Sequence, residues 1–174
     1  GYFVGGGIVI NGHIFPGKAG YAGALGSFPI MTPDGSPQQL THNASLYVLE
    51  NSLQAAGLDP MLLARSPEDW GEIGPALDLW LEQTARSLAF AAVATMSIID
   101  FDAIIIDGAM PAHVRTELVE KTRAALSRQD LRGLPKFSIE EGSIGADARA
   151  MGAASLSLFA NYIIDRDVLF KEAF

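Results

Sequence analysis

The residues best suited to chemistry in this sequence begin with a run of three glycines. Gly5, Gly6 and Gly7 lead into a β-branched run that stops at Asn11-Gly12. Glycines at such a place let other backbone or a ligand come close, and Asn-Gly is a typical hairpin turn. A turn packed beneath a sheet explains the same residues, because their spacing matches no known phosphate loop. The run is therefore a candidate ligand site with a structural alternative.

A second glycine-rich stretch and one strand end complete the set of candidates. The stretch places glycine at every third position, at Gly17, Gly20, Gly23 and Gly26. Such spacing suits a loop wrapped closely around a ligand or a neighbouring helix. Asp107-Gly108 follows an apolar run, so its carboxylate can face a cleft while Gly108 lets a ligand approach the backbone. An Asx-type turn that ends the strand is the alternative for Asp107.

Other catalytic chemistries lack their residues. The three histidines are His13 in the hairpin, His42 near a helix start and His113 in a helix, and none accompanies a serine motif. We expect all three to lie on the surface. The chain has no cysteine, and the adjacent Glu140 and Glu141 would point to opposite faces of a strand. We therefore expect no metal site and no disulfide.

Composition bounds the partners of the chain. Its 174 residues are 49% hydrophobic, which is enough for a substantial core, and 20 acidic against 12 basic residues give a net charge of -8. This charge disfavours direct contact with nucleic acid.

The longest apolar run, 88–99, is too short for a membrane span, and the N-terminus does not resemble a signal peptide. We expect a soluble, cytoplasmic protein, and the start at Gly1 suggests a piece of something longer.

Periodicity and turn residues predict the elements that position these candidates. The expected order is a hairpin at 2–10 and 13–16, a strand near 27–31, a loop at 32–37, one helix from Thr41 or Asn43 to Gly57, a turn at 66–69, a long helix after Pro75, a strand at 102–106, a helix from Pro111, a strand at 136–140 and a final helix at about 147–161.

This order predicts an α/β fold in which an antiparallel hairpin is followed by strand-helix-strand crossovers. Such crossovers imply a mixed sheet with helices on both faces. The run 102–106 is apolar at both alternating sets of positions, so it is expected to be a central strand. Ligands in such sheets bind beyond the carboxyl ends of the parallel strands, where Asp107-Gly108 lies.

The same motifs resemble the C-terminal lobe of the ROK family, which comprises repressors, open reading frames and sugar kinases. The matching residues run nearly end to end and are Gly5 to Gly12, Gly17, Gly20, Ala22-Gly23, Leu25-Gly26, Ile104 to Gly108, Gly145 to Ala148 and Gly152 to Ala154. The resemblance implies an actin-like, ribonuclease H-like ATPase lobe that fills residues 1–174 as one domain. It also implies an N-terminal lobe, and in repressors a winged helix-turn-helix, outside this chain.

Three departures from the family pattern bear on function. Gly1-Tyr2-Phe3 stands where ROK kinases carry a Gly-Thr-Gly phosphate turn, and its two rings would crowd a phosphate. Gly23-Ala24-Leu25-Gly26-Ser27 replaces Gly-Glu-x-Gly-His, whose Glu and His contact the sugar. Gln39-Leu40-Thr41 replaces the Cys-Leu-Glu that ends the zinc loop. The resemblance therefore implies that the zinc site is lost and that ATP is not a cofactor.

These departures lead us to expect the effector-binding and dimerisation lobe of a ROK-type transcriptional regulator, a repressor, rather than an enzyme. Its ligand would be a sugar or a related small molecule held near Gly5, Gly6, Gly7, Ala24, Ser27, Thr41, Asp107 and Gly108. A homodimer is expected, with DNA contacted only through an absent N-terminal domain. The alternatives are an ATP-dependent ROK sugar kinase and a structural module that only dimerises.

Overall fold

A computed structural model describes residues 2–32, 34–65, 68–148 and 150–155. The strands are β1 (Ile8–Ile10), β2 (His13–Phe15), β3 (Pro29–Met31), β4 (Pro37–Gln39), β5 (Ala103–Ile106) and β6 (Ser138–Glu141). The helices are α1 (Thr41–Ala44), α2 (Leu46–Ala55), α3 (Leu62–Arg65), α4 (Gly74–Met96) and α5 (Ala112–Leu126). Residues 150–155 are also helical.

Helix α4 is the element on which most of the core is built. Pro75 lies in its first turn, where the missing N–H is harmless, and a helical run of good helix formers follows. Helix α4 packs against both α5 and α2. The largest buried cluster joins these three helices through fully buried side chains such as Leu49, Leu81 and Val114.

The crossover from β5 through α5 to β6 forms as predicted. Apolar residues of α5 at helical spacing, Val114, Leu118 and Val119, are buried against α4 and the strands. β5 pairs with β6 in parallel, with Ala103 opposite Ser138 and Ile106 opposite Glu141. The hairpin β1–β2 also forms, and its turn residues Asn11 and Gly12 both have positive φ, as a tight turn of this kind requires.

The strands differ from the prediction in how they associate. They form three separate two-stranded sheets, β1–β2, β3–β4 and β5–β6, rather than one mixed sheet. No described strand pairs with the second edge of β5, so no strand hydrogen bonds link the β1–β2 hairpin to β5 and β6. β5 is therefore not a central strand within the described residues, and its Ile105 is 65% exposed.

The single helix predicted from Thr41 or Asn43 to Gly57 is wrong, because the chain breaks at Ser45 into α1 and α2. Ser45 has φ -78° and ψ 155°, an extended conformation. Its hydroxyl accepts a hydrogen bond from the backbone N–H of Val4, and its carbonyl oxygen accepts one from the indole of Trp80. These two tertiary hydrogen bonds explain why the chain leaves the helical path.

Two short elements were not predicted, namely β4 and α3. β4 pairs with β3 across the turn at 32–37, where the side chains of Thr32, Asp34 and Ser36 hydrogen-bond to one another and to the backbone. Residues 66 and 67 of the predicted turn, and residues 156–161 of the predicted final helix, lie outside the described residues. No helix among the described residues is long and apolar enough to cross a membrane.

Candidate functional site

A cavity of about 730 Å³ is lined by β5 and by the glycine segment, which we define as residues 4–7. Five of the predicted site residues line it together: Gly5, Gly6, Gly7, Asp107 and Gly108. The other three, Ala24, Ser27 and Thr41, do not line it. The fold thus brings the triple glycine and the end of β5 to one cavity, although they are about 100 residues apart in the sequence.

The three glycines of this segment are not equivalent. A Cβ at Gly6 would lie 2.6 Å from the carbonyl oxygen of Gly23 and 2.9 Å from a methyl carbon of Leu25. A Cβ at Gly5 or Gly7 would have no heavy atom of the described residues within 4 Å. Only Gly6 is therefore required by packing, and the other two leave backbone exposed toward the cavity.

The loop that carries Ala24 and Ser27 packs its backbone against the glycine segment. A Cβ at Gly23, which has φ +77°, would lie 2.9 Å from the Cα of Gly7, and a Cβ at Gly26 would meet the carbonyl oxygen of Val4. The glycine periodicity of this loop thus serves close backbone packing, which was one of the two interpretations of the sequence.

Thr41 acts on the segment through Ser45. The two hydroxyl oxygens are 3.0 Å apart, and the Ser45 hydroxyl oxygen is 3.0 Å from the backbone nitrogen of Val4. Ser45 is 1% exposed. The start of α1 and the break before α2 therefore hold the beginning of the glycine segment in place.

The carboxylate of Asp107 is held by backbone N–H groups. The nitrogen of Gly108 is 2.8 Å from Oδ1, and those of Ile144 and Gly145 are each 3.1 Å from Oδ2. A Cβ at Gly142 would lie 2.5 Å from the Cβ of Asp107, so glycine is needed there. The carboxylate links the end of β5 to the loop after β6.

The electrostatics of this carboxylate favour its ionised form. Burial opposes ionisation, but the N–H groups of Gly145, Gly108 and Ile144, together with the charge of Arg115, hold the pKa of Asp107 below its ordinary value of 3.8. Arg115 lies 3.5 Å from Asp107 and donates to Glu141 at 3.0 Å. The cation is thus paired with two carboxylates, and the three side chains together keep a net negative charge at the end of β5.

Aromatic rings also line the cavity. Tyr2 and Phe3 line it, and both rings pack edge-on or tilted against Tyr47 at centroid distances of 6.2 and 5.9 Å. The sequence predicted two bulky rings that crowd the site of the glycines, and these rings and the glycines line the same cavity. No lysine or arginine is among the described residues that line the cavity.

Sequence reasoning missed the floor of the cavity. It is formed by one face of α4, with Thr84, Leu88, Ala91, Ala92 and Thr95. Their spacing of four, three, one and three residues was a visible signal for a face with a common neighbour, but a helix face buried in a core has the same pattern.

No metal site is found where the chain is described. His13, His42 and His113 are exposed, as expected. No group of three or more histidine, aspartate or glutamate side chains able to hold an ion occurs within residues 2–32, 34–65, 68–148 and 150–155.

Comparison with known proteins shows which proteins this chain is similar to in sequence and in fold. No protein-family model matches the chain. The bifunctional enzyme NanE/NanK of Brucella melitensis is 29% identical over 154 residues, which is 88% of this chain and 29% of that protein. The chain therefore spans less than a third of the length of the curated relatives that it matches.

Solved structures of two functional classes share the fold. A ROK family glucokinase from Streptomyces griseus, in complex with glucose and AMPPNP, is 22% identical with a TM-score of 0.64, over 90% of this chain and 57% of that one. A ROK family transcriptional regulator, homologous to the E. coli MLC protein, is 21% identical with a TM-score of 0.56, over 80% of this chain and 39% of that one. The resemblance to the ROK family and the actin-like α/β fold class are confirmed at the level of the fold.

The expectation of a protein that is not an enzyme is contradicted by these relatives. NanE/NanK is an enzyme and one of the matched structures is a glucokinase, so the departures from the family pattern in this chain do not exclude catalysis. The physical reason is that the chain spans only 29% of NanE/NanK and 57% of the glucokinase, so its residues match only part of each enzyme.

Proposed function

We propose that this chain is the sugar-binding lobe of a ROK-type protein and that it senses the sugar as the effector of a transcriptional regulator. The observation that carries the proposal is that one cavity is lined by Gly5, Gly7, Asp107 and Gly108 together with Tyr2 and Phe3, a set of residues that we call the rim. Sugar complexes among the ROK structures support a sugar as the ligand class.

The chemistry of the rim suits a neutral, polyhydroxylated ligand. Sugar hydroxyls both donate and accept hydrogen bonds, and they would find main-chain groups at Gly5 and Gly7 and an acceptor at Asp107. The rings of Tyr2 and Phe3 offer apolar faces with a polar tip on the tyrosine, which suit the apolar face of a sugar ring. The negative charge of Asp107 disfavours a phosphate at this rim.

A sugar kinase is the second candidate, and the enzymes among the relatives favour it. The two candidates differ in their use of nucleotide. A kinase lobe would bind MgATP or AMPPNP and, in the full-length protein, phosphorylate the sugar. A sensing lobe would bind the sugar and respond to it without nucleotide.

Thermal unfolding with a panel of hexoses and N-acetylhexosamines tests the proposal. Binding to the folded state at a ligand concentration of about 100 Kd adds about 2.7 kcal/mol of stability. We expect one neutral sugar to raise the Tm of the chain without nucleotide. We expect Gly5→Ala to weaken this effect, because a methyl group would enter the rim, and Gly152→Ala to leave it unchanged.

The result decides between the candidates. A shift that requires AMPPNP, together with phosphorylation of the sugar by the full-length protein, would replace the sensing role with the kinase role. If no sugar shifts the Tm with or without AMPPNP, sugar binding at this cavity is wrong.

We also propose that the full-length protein is a homodimer and contacts DNA through residues outside this chain. The net charge of -8 supports placing any DNA contact elsewhere. Sedimentation equilibrium of the full-length protein should give twice the monomer mass, and a monomer at micromolar concentration would contradict the dimer.

A further inference from the structure

The turn of the β1–β2 hairpin consists of Asn11 and Gly12, and neither residue lines the cavity. Asn11 has φ 54° and Gly12 has φ 79°, so both adopt the left-handed conformation that a two-residue turn of this kind requires. Ile10 and His13 face each other as the last pair of the hairpin. Within the part of the chain that the structure describes, both turn residues are exposed. The turn is therefore accessible to water.

The backbone nitrogen of Gly12 is the nearest nucleophile in sequence to the side-chain amide of Asn11. A bond from this nitrogen to Cγ of Asn11 would close a five-membered ring. Among the described residues, the nitrogen of Gly12 donates no hydrogen bond, and a Cβ at Gly12 would have no heavy atom within 4 Å. Glycine itself has no Cβ to shield the nitrogen, and it lets the peptide plane rotate freely. Neither packing nor hydrogen bonding prevents ring closure here.

Two other asparagines of the described residues lie in different surroundings. Asn43 lies in α1 and its side-chain amide donates to the hydroxyl of Ser87, while Asn51 lies in α2. The residues that follow them, Ala44 and Ser52, carry a Cβ beside the backbone nitrogen. Helical hydrogen bonds hold both backbones, so ring closure would require local unfolding. These two asparagines serve as internal controls.

We propose that Asn11 is a site of spontaneous deamidation through a cyclic imide. The backbone nitrogen of Gly12 attacks Cγ of Asn11, the bond from Cγ to the side-chain nitrogen breaks, and ammonia leaves with the proton of the Gly12 amide. Water then opens the ring. Attack of water at Cγ gives aspartate, and attack at the main-chain carbonyl carbon of residue 11 gives isoaspartate. Water is the only co-reactant, and nothing is oxidised or reduced. Asparagine is among the chemically labile residues that hyperthermophilic proteins use sparingly.

The two products should affect the hairpin differently. Each adds one negative charge at the turn. Aspartate keeps the ordinary main chain and tolerates the left-handed conformation. Isoaspartate carries the main chain through Cβ and Cγ and so lengthens it by one carbon atom. Because turn geometry sets the register of a hairpin, isoaspartate should disturb the pairing of β1 with β2. β1 begins directly after Gly7, so this disturbance lies next to the glycine segment.

This inference goes beyond the proposed function and does not depend on it. Its first readout is a change of mass at residue 11, and no ligand takes part. Failure of the sugar panel would leave it intact.

Peptide mapping of the aged, folded protein tests the proposal. The full-length protein is incubated in mildly alkaline buffer at physiological temperature, digested, and analysed by mass spectrometry after chromatographic separation of the isomers. We expect Asn11 to lose its amide at least about tenfold faster than Asn43 and Asn51. We also expect both isoaspartate and aspartate, because the ring opens at either carbonyl. Loss at Asn11 no faster than at the two controls would overturn the inference, and aspartate as the sole product would exclude the cyclic route.

A matched pair of glycine variants identifies the attacking nitrogen. Gly12→Ala places a Cβ beside that nitrogen, whereas Gly20→Ala makes the same change at φ 78° in another turn, where a Cβ also has no heavy atom of the described residues within 4 Å. Gly12→Ala should slow the loss of ammonia from Asn11 at least about fivefold, and Gly20→Ala should leave it unchanged. Strain at residue 12 would loosen the turn and so speed the reaction, which means that slowing cannot come from strain. An unchanged rate in Gly12→Ala would show that Gly12 is not the nucleophile.

Hydrogen exchange tests the effect on the hairpin. Asn11→Asp supplies the aspartate product in pure form and serves as the reference for the isoaspartate form isolated from aged protein. Amides of residues 8–15 should exchange at least about tenfold faster in the isoaspartate form than in Asn11→Asp, while those of α5 should exchange alike in both. Equal exchange in residues 8–15 would overturn the expected disturbance of the hairpin.

Discussion

The helical region around α4 and α5 and the N-terminal region of residues 2–39 are ordered by different means. In the helical region, large apolar side chains such as Leu81 and Val114 are fully buried against one another. In the N-terminal region, glycines at 6, 23 and 26 let backbone segments pack directly, while both strands of the β1–β2 hairpin are largely exposed. Stability thus rests mainly on side-chain packing in one region, and the shape of the site rests on backbone contacts in the other.

The largest expected effect tests the helical side of this comparison. Leu81→Ala removes a side chain that is 0% exposed in the main cluster and should lower the free energy of unfolding by about 2–5 kcal/mol, because it leaves a cavity. Leu79→Ala on the same helix is the control, since Leu79 is 55% exposed and should cost less than about 0.5 kcal/mol. Urea denaturation measures both, and equal costs would contradict a core centred on α4.

The next effect tests the N-terminal side. Gly6→Ala should lower the free energy of unfolding by about 1–3 kcal/mol, because its Cβ would overlap the carbonyl oxygen of Gly23. Gly5→Ala makes the same change where no atom lies within 4 Å, and it should be neutral or stabilise by up to about 1 kcal/mol. If the two variants unfold alike in urea, backbone contact at Gly6 does not order this region.

The difference between the regions also explains what the sequence could predict. Helix periodicity and turn residues identified α4, α5, the crossover and the hairpin, because each is specified by local pattern and by residues such as Pro75 and Asn11. The break at Ser45 could not be predicted, since it depends on hydrogen bonds to Val4 and Trp80, which are 41 and 35 residues away.

Part of the candidate site was also predictable, because it too is marked by local sequence pattern. Glycine runs and a strand end marked Gly5, Gly6, Gly7, Asp107 and Gly108, and these line one cavity. Their pattern could not tell that Gly6 alone is needed for packing. The resemblance pointed to Ala24, Ser27 and Thr41 through aligned positions, and the ligand role of all eight residues stays a prediction.

Two buried threonines, Thr84 on α4 and Thr122 on α5, are expected to change the free energy of unfolding by smaller amounts of opposite sign when each is replaced by valine. Thr84→Val removes a buried hydroxyl that has no hydrogen-bond partner among the described residues, and it should stabilise the 174-residue chain by about 1 kcal/mol. Thr122→Val removes a hydroxyl that is paired with the Leu118 carbonyl and should destabilise it by about 1 kcal/mol. Urea midpoints that move in the same direction for both variants would contradict the unpaired state of Thr84.

The smallest effect is a pH dependence at the point where β5 meets the loop after β6. The pKa of Asp107 is lowered in the folded state, so its ionisation stabilises the fold above the ordinary value of 3.8, and this contribution is lost as the pH falls through the lower, folded-state pKa. Asp107→Asn keeps one oxygen acceptor but cannot ionise. Titrations of other groups are nearly the same in both proteins and cancel in the difference between their unfolding free energies. That difference should be constant from pH 7 to about pH 5 and should shrink below about pH 4. Urea denaturation across this range measures it, and a difference that grows on acidification would mean that the backbone N–H groups of Ile144 and Gly145 do not stabilise the carboxylate.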